Sequence, residues 1–310
     1  MRTLSLDELE IFRCVAREGG VLRAASRLHR VPSNVTTRIK QLEARLEVPL
    51  FRRQGRGLVL TDAGQTLLGY ADRLLRLADE AEQDMRSGTV RGTLRLGSLE
   101  SAAATRLPPL LSQFHQQHPD VSVELRTGTT AASLRLLERF ELEAAFVSEP
   151  FEAAGMNAVP VFDEELVLIT ARHAPPPRGA AQLDGCTMVA FPHGCSYRRR
   201  LLEWLAQAGA APARLLDLGS YHAIVACVAA GSGVGIVPAE VLDHTVLADA
   251  VQRHRLPARL RVNRTHLVWS GEPSVPLRAL MELLPARSRG GRRRGVASPG
   301  ELRLAMTRSG

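Results

Sequence analysis

Leu67, Ala71, Leu74, Ala78, Ala81 and Met85 fall at alternating spacings of four and three. That heptad seam belongs to one continuous helix, roughly 27 Å long at about 1.5 Å per residue. Thr61 and Asp62 suit its start as N-cap and first-turn acid, and Ser87-Gly88 suits its end. A rod of this length divides the chain into a head before it and a body after it. Asp72, Arg73, Arg76, Asp79, Glu80, Glu82 and Asp84 keep the flanks charged. The seam therefore reads as a dimerising linker, with packing on its own domain as the alternative.

The head shows three short helical patterns. Leu6, Leu9, Phe12, Val15 and Ala16 give a first helix over about 5–18, ended by Gly19-Gly20. Ala24, Ala25 and Leu28 give a second over about 22–29, where paired alanines allow close approach. Pro32 and Ser33 open a third, Pro in the first turn and Ser as a cap. Its apolar stripe is Val35, Ile39, Leu42 and Leu46; Asn34, Thr36, Thr37, Arg38 and Lys40 lie opposite. A tight pair of helices with a polar, basic second member describes a helix-turn-helix. Asn34 and Arg38 suit adenine and guanine edges, and Thr36, Thr37 and Lys40 suit phosphates or thymine methyls. Leu50-Phe51 and Leu58-Val59-Leu60 then flank a basic, Gly-containing tip, a hairpin wing that offers Arg52, Arg53 and Arg56 to phosphate or the minor groove.

Beyond Val90 the pattern switches to alternating strands and helices. Strands are expected at 93–97, 121–125, 144–147, 165–169, 187–191, 214–218 and 234–237, and helices near 105–117, 133–139, 196–208 and 221–230. This is an α/β body with largely parallel sheets, sized for two lobes and a cleft. Small polar residues follow the strand ends: Ser98, Glu100 and Ser101; Thr127 to Thr130; Ser148 and Glu149. Cys195-Ser196-Tyr197-Arg198 and Ser220-Tyr221-His222 open later helices. Hydroxyls and N–H groups at helix starts suit a small polar ligand, an anion above all. Each residue alone is equally an ordinary N-cap.

Charge supports this division. The 310 residues carry a net +8, split as +6 over 1–60, −4 over 61–284 and +6 over 285–310. A basic head on a slightly acidic body points to a polyanionic partner. Lys40 is the one lysine among 40 cations, a compositional bias that carries little functional weight. Four scattered cysteines without a C-x-x-C pair argue against a disulfide scaffold or zinc site and fit a reducing compartment. No apolar run reaches the ~18–20 residues of a membrane span, and the acidic N-terminal stretch is unlike a signal peptide. A cytoplasmic protein without membrane contact, metal or cofactor is expected. The domain reading is a winged helix-turn-helix at 1–62, a linker helix at 63–88, a two-lobed α/β domain at 89–284 and a disordered basic tail at 285–310.

Over residues 4–284 the chain resembles the LysR-type transcriptional regulators. The resemblance rests on Leu22-Arg-Ala-Ala-Ser-Arg-Leu-His29, Ile39-Lys-Gln-Leu-Glu43, Pro49-Leu-Phe-Arg-Arg53, Leu60-Thr-Asp-Ala-Gly64 and Gly231-Ser-Gly-Val-Gly-Ile-Val-Pro238. It implies a homodimer, or a tetramer built as a dimer of dimers, on double-stranded promoter DNA. It also implies a periplasmic-binding-protein-like domain that holds a small effector between its lobes. The family's effector-contacting hydroxyls fall on Ser101 and Thr129. Two departures stand out: Thr36-Thr37 occupies the place of the family's frequent Ser-Arg, and Pro32 that of a common Gln. Base preference is therefore not transferable. Val31–Arg38, Gly97–Ser101, Cys195–Arg198 and Ser220–His222 are similar to a subgroup linked to putrescine utilisation. A diamine would use Glu100 and Glu149; a carboxylate would use hydroxyls, helix starts and Arg198.

Rival readings are weaker. A periplasmic binding protein has no use for a basic head. The nine histidines form no H-E-x-x-H spacing, and no nucleophile elbow or phosphate loop appears, so an enzyme is not expected. A redox sensor would use Cys195, whose position beside Arg198 at a helix start would lower its thiol pKa. A non-specific nucleoid-type protein would use the same basic head without base readout.

Overall fold

A computed structural model of the chain describes residues 4–55, 57–85 and 90–285. The expectations placed on Arg56, on the Ser87-Gly88 helix end, on the Met85 side chain and on the basic tail beyond Pro285 lie outside what is described.

In chain order the head comprises α1 (Leu6–Glu18), α2 (Val21–Arg27), α3 (Pro32–Leu46), β1 (Phe51–Gln54) and β2 (Gly57–Leu60). α4 (Asp62–Met85) is the connecting rod. The body begins with β3 (Gly92–Ser98), α5 (Glu100–Thr105), α6 (Leu107–Gln117), β4 (Val121–Thr127), α7 (Thr130–Glu138), β5 (Ala144–Ser148) and β6 (Met156–Ala171). It continues through β7 (Thr187–Ala190), α8 (Ser196–Gln207), β8 (Arg214–Asp217), α9 (Tyr221–Ala229), β9 (Gly235–Pro238) and α10 (Ala239–Asp243). It closes with β10 (Val251–Arg255), α11 (Ala258–Arg261), β11 (Val262–Ser270) and α12 (Val275–Glu282).

The head core joins Leu9, Ile11, Phe12 and Val15 to Ala24 and Ala25, to Val35, Ile39 and Leu42, and to Leu50. Leu6, expected in this core, is instead 47% exposed, while Ile11 is buried. α1 opens with a reciprocal capping box between Ser5 and Glu8. α3 is not capped as expected: Val31 stands at the N-cap with no side-chain hydrogen bond. Ser33 lies inside the helix and its carbonyl accepts from Thr37 Oγ1. Thr61 caps α4 as expected, accepting from Gly64 N at 3.0 Å.

The heptad seam divides between two environments. Leu67 and Ala71, with Leu75, complete the head core. Tyr70, Leu74 and Leu77 are 55%, 38% and 62% exposed, and Ala81 is exposed too. The apolar face left open is thus 70–74–77–81, which keeps Leu74 and Ala81 of the expected seam and is turned from it by roughly half of one residue's step around the helix, because the head claims the other side.

Two lobes share one strand. Residues 156–165 of β6 pair with β11, and the sheet continues β11–β5–β3–β4. Residues 166–171 pair with β9 on one side and β10 on the other. β7 and β8 pair with each other, and Met188 bridges to Val234 just before β9. The expectation of largely parallel sheets needs correcting. β3 is parallel to β4 and β5, and β7 to β8, but every pairing of β6 and β11 is antiparallel. The return strands β10 and β11 went unread in the sequence; β11, inserted antiparallel between β6 and β5, creates the mixed sheet. The first lobe packs α6 and α12 on one face and α7 on the other. The second has its own core around Leu168, Val189, Leu201, Ile224 and Val237. Among the described residues no helix is long and apolar enough to cross a membrane.

Candidate DNA-reading face and interlobe cleft

α3 separates its two faces cleanly. Val35, Ile39 and Leu42 are buried, while Pro32, Ser33, Asn34, Thr37, Arg38 and Lys40 are exposed and Thr36 is half-buried. Thr36 and Thr37 donate their hydroxyl protons to the carbonyls of Pro32 and Ser33, both at 2.9 Å. Their methyls and remaining lone pairs are what these threonines offer outward. Arg52 and Arg53 project from the wing, both exposed. The wing is held in fixed relation to α3: Glu43 Oε1 accepts from Leu50 N at 2.7 Å and Phe51 N at 3.2 Å. Leu58 N donates to Gly19 O at 3.2 Å, tying the second wing strand to the α1–α2 turn. Beneath, Arg45 pairs with the buried Glu8 at 2.5 Å and holds its carboxyl below the usual range.

At the lobe junction two of the expected residues, Ser101 and Tyr197, meet a buried polar network that the sequence reading did not contain. Glu164 is 5% exposed, and its Oε2 accepts from Tyr197 Oη at 2.6 Å, Asn263 Nδ2 at 2.8 Å and Thr265 Oγ1 at 3.2 Å. Ser148 Oγ donates to Asn263 Oδ1 at 2.8 Å, and Thr130 Oγ1 accepts from Ser148 N at 3.2 Å. Ser101 is fully buried beside the Tyr197 hydroxyl, yet its Oγ meets no hydrogen-bonding geometry. Ser196 is 4% exposed and its Oγ is likewise unpartnered. Burial and the neighbouring Glu164 carboxylate push the Tyr197 phenol well above its usual range. Tyr221 is raised as well, by burial first, and its ring packs against Phe191 at a tilt of 59°, centroids 4.7 Å apart.

The other expected residues are engaged elsewhere. Ser98 Oγ donates to Leu99 O at 2.8 Å, and Thr129 caps α7 by accepting from Ala132 N at 3.2 Å. Glu100 accepts from Tyr221 N at 3.4 Å, and burial raises its pKa. Glu149 faces Arg200 at 3.8 Å. Arg198 is tied to Asp217 at 2.6 Å and Phe191 O at 3.2 Å. The His222 side chain is exposed at the start of α9, where Ser220 Oγ accepts from His222 N. Cys195 departs from expectation: it is buried, and burial pushes its thiol up, not down.

A cavity of about 380 Å³ opens between α7 and α8. Leu134, Phe151 and Leu202 supply apolar wall, Ser196 and Arg199 line it as well, and Glu152 and Glu203 stand exposed at its rim. The lobes touch beside it, where Ala131 N donates to Gly194 O at 3.3 Å. Gly194 has φ +96°, and an added Cβ would lie 2.9 Å from Ala131 Cβ, so glycine is required there on both counts.

A helix-turn-helix with a wing, joined by one rod to a two-lobed body with an interlobe cavity, defines a DNA-binding regulator with an effector domain. Residues 6–65 match the bacterial regulatory helix-turn-helix proteins of the lysR family, and residues 87–289 match the LysR substrate binding domain. The chain belongs to the LysR family of transcriptional regulators. It is 37% identical to the HTH-type transcriptional regulator GltR of Bacillus subtilis over 254 residues, 82% of this chain and 86% of GltR. A full-length OxyR variant from Pseudomonas aeruginosa superposes with a TM-score of 0.71 at 23% identity, covering 91% of this chain and 93% of OxyR. Full-length CbnR in complex with its target DNA superposes with a TM-score of 0.64 at 25% identity, covering 91% and 99%.

Proposed function

We propose that this regulator reads promoter DNA through α3 and the wing, and that a small effector in the interlobe cleft sets its output. The observation that carries the reading is the exposed array of Asn34, Arg38, Lys40, Arg52 and Arg53 on the side of α3 and the wing away from the apolar head core. Arg38 and Asn34 read base edges; Pro32, Ser33, Thr36, Thr37 and Lys40, with the wing residues Arg52, Arg53 and Arg56, fix register on the backbone. The open face of α4, formed by Tyr70, Leu74, Leu77 and Ala81, pairs two copies, and two such pairs form a tetramer. The protein acts in the cytoplasm.

In the cleft, Ser98, Glu100, Ser101, Thr129, Glu149, Ser196, Tyr197, Arg198, Tyr221 and His222 form or brace the effector site. A diamine such as putrescine would need Glu100 and Glu149, but their carboxylates already serve Tyr221 N and Arg200. That favours a carboxylate effector. The raised Cys195 thiol weighs against a redox switch, and the directional face of α3 against a nucleoid role. The test is fluorescence anisotropy with duplex from upstream of the protein's own gene against random duplex. Arg38→Ala should relax the preference, whereas Arg53→Ala should weaken both about equally and lower the salt slope by about one. Equal losses on both duplexes for Arg38→Ala would refute base reading.

A further inference from the structure

We propose that Glu43 is a positioning residue for the wing: without contacting DNA, its carboxylate sets where the wing cations stand relative to the base-reading face of α3. This rests on the DNA-reading proposal above and concerns a residue outside that face.

Glu43 lies half-buried in the last turn of α3. The connection from α3 to β1 hangs from it. Glu47 turns the chain out of the helix with φ +59°, and Val48 N donates to Glu43 O at 3.3 Å. Leu50 N and Phe51 N then both donate to Glu43 Oε1, at 2.7 and 3.2 Å. Hydrogen bonds to a carboxylate are shorter and roughly twice as strong as those between neutral groups. One oxygen thus fixes two successive amides, and with them the direction in which β1 leaves the head. Arg52 and Arg53 follow directly and are exposed.

The same joint is held from the other side by α4. Thr61, its N-cap, donates from Oγ1 to Pro49 O at 2.7 Å and from its amide to Leu50 O at 3.0 Å. Gly64 packs on that carbonyl so closely that an added Cβ would lie 2.1 Å from Leu50 O. Leu50 is 1% exposed in the head core, and the Phe51 ring packs against Phe12 with centroids 5.3 Å apart. The carbonyls of the joint therefore belong to the rod, its side chains to the core and its amides to Glu43. Reading helix, wing and rod meet in three residues.

The lever is short but sufficient. At about 3.3 Å per residue, Arg53 stands roughly 7 Å beyond the Phe51 amide. A swing of about 20° at the joint would move it by roughly 2 Å, enough to break a hydrogen bond to phosphate.

The experiment separates reach from charge. Glu43→Asp keeps the charge but draws the carboxylate back by one methylene. Glu43→Gln removes the charge but keeps an acceptor oxygen in place. Affinity of the full chain for own-promoter and random duplex is measured across a salt series, with each variant alone and combined with Arg52→Ala/Arg53→Ala. Hydroxyl-radical footprinting and thermal unfolding run in parallel. Glu43→Asp should lower the salt slope by about two, roughly one for each wing cation. It should weaken both duplexes equally and erase the footprint flanking the α3 site, while the preference between duplexes remains. In the Arg52→Ala/Arg53→Ala background it should cause no further loss, because the contacts it misplaces are already gone. Glu43→Gln should restore slope and footprint. An unchanged slope in Glu43→Asp, additive losses in the combined variant, or a Gln variant as weak as the Asp variant each overturns the proposal. So does loss of the head's cooperative unfolding in Glu43→Asp, which would make Glu43 a residue of the head's stability. The slope can be read on any duplex. A wild-type protein without promoter preference would therefore sink base reading by α3, while the outcome for Glu43 is still decided.

Discussion

At the scale of single residues, one carboxylate organises the lobe junction. Glu164 receives hydrogen bonds from three neutral donors, on α8 and on β11. Tyr197→Phe removes the shortest of them and should cost about 1–3 kcal/mol in urea unfolding; a change under a few tenths would mean the network is not structural. Two other carboxylates should give opposite pH dependences. Arg45 depresses the Glu8 pKa, so that contribution is present above the usual value near 4.5 and is lost as pH falls through the folded value. Burial raises Glu100, so its folded form holds the proton longer, and stability falls as pH rises from about 4.5 through the folded value. Glu100→Gln should flatten that second slope; a slope unchanged in pH-resolved denaturation would contradict the assignment. Hydroxyls at helix starts were legible in the sequence because Ser101 and Ser196 sit next to recognisable breaks. Glu164 was not, because Asn263 lies 99 residues away in sequence and Tyr197 33. The strand containing it was also read from Glu165 onward, one residue too late to show that Glu164 shares the inward parity of Leu166 and Leu168.

Among elements, α4 shows what periodicity can and cannot tell. Spacing alone identifies a long amphipathic helix and its Thr61 cap. It cannot say which neighbour claims which part of the apolar surface, since that depends on where α1 and α3 come to lie. Leu67 and Ala71 went to the head core, and a rotated stripe remained. The double variant Tyr70→Glu/Leu77→Glu should therefore yield a folded monomer in sedimentation velocity, with helical content kept and DNA affinity reduced through lost avidity. Ala71→Glu should instead unfold the head, because Ala71 is fully buried. A double variant that stays dimeric would move the interface off α4. The same helix also meets the body: Arg73 lies over the Phe140 ring at 4.6 Å, and Gly69 gives that ring room. An added Cβ at Gly69 would come within 3.3 Å of Phe140.

Across the whole molecule, the head, rod and body are joined by a short polar chain. Arg17 pairs with Asp72 at 2.8 Å, and Arg76 with Glu143 at 3.8 Å. Glu143 in turn accepts from Ser274 Oγ at 2.7 Å, at the start of α12. Glu143→Gln should leave ligand affinity in the cleft intact while weakening the effect of ligand on promoter binding, read as a smaller ratio of liganded to unliganded Kd. An unchanged ratio would remove this contact from the coupling. None of these pairings was visible in the sequence; the α/β class and the two-lobe division were, because strand and helix periods alternate openly from β3 to β9. The mixed sheet was hidden in the chain's return through β10 and β11.

That return has a consequence for anyone who would take the protein apart. The first lobe is built from residues before 166 and again from β11 and α12, so the second lobe is inserted within it. A nonsense codon anywhere before residue 262 deletes β11, the strand that joins β6 to β5 in the first sheet. Premature termination cannot release a lone sensing lobe, whereas the head and rod, contiguous from residue 4 to residue 85, can be cut free in one piece. Dominant interference by truncated products should come from that N-terminal fragment alone.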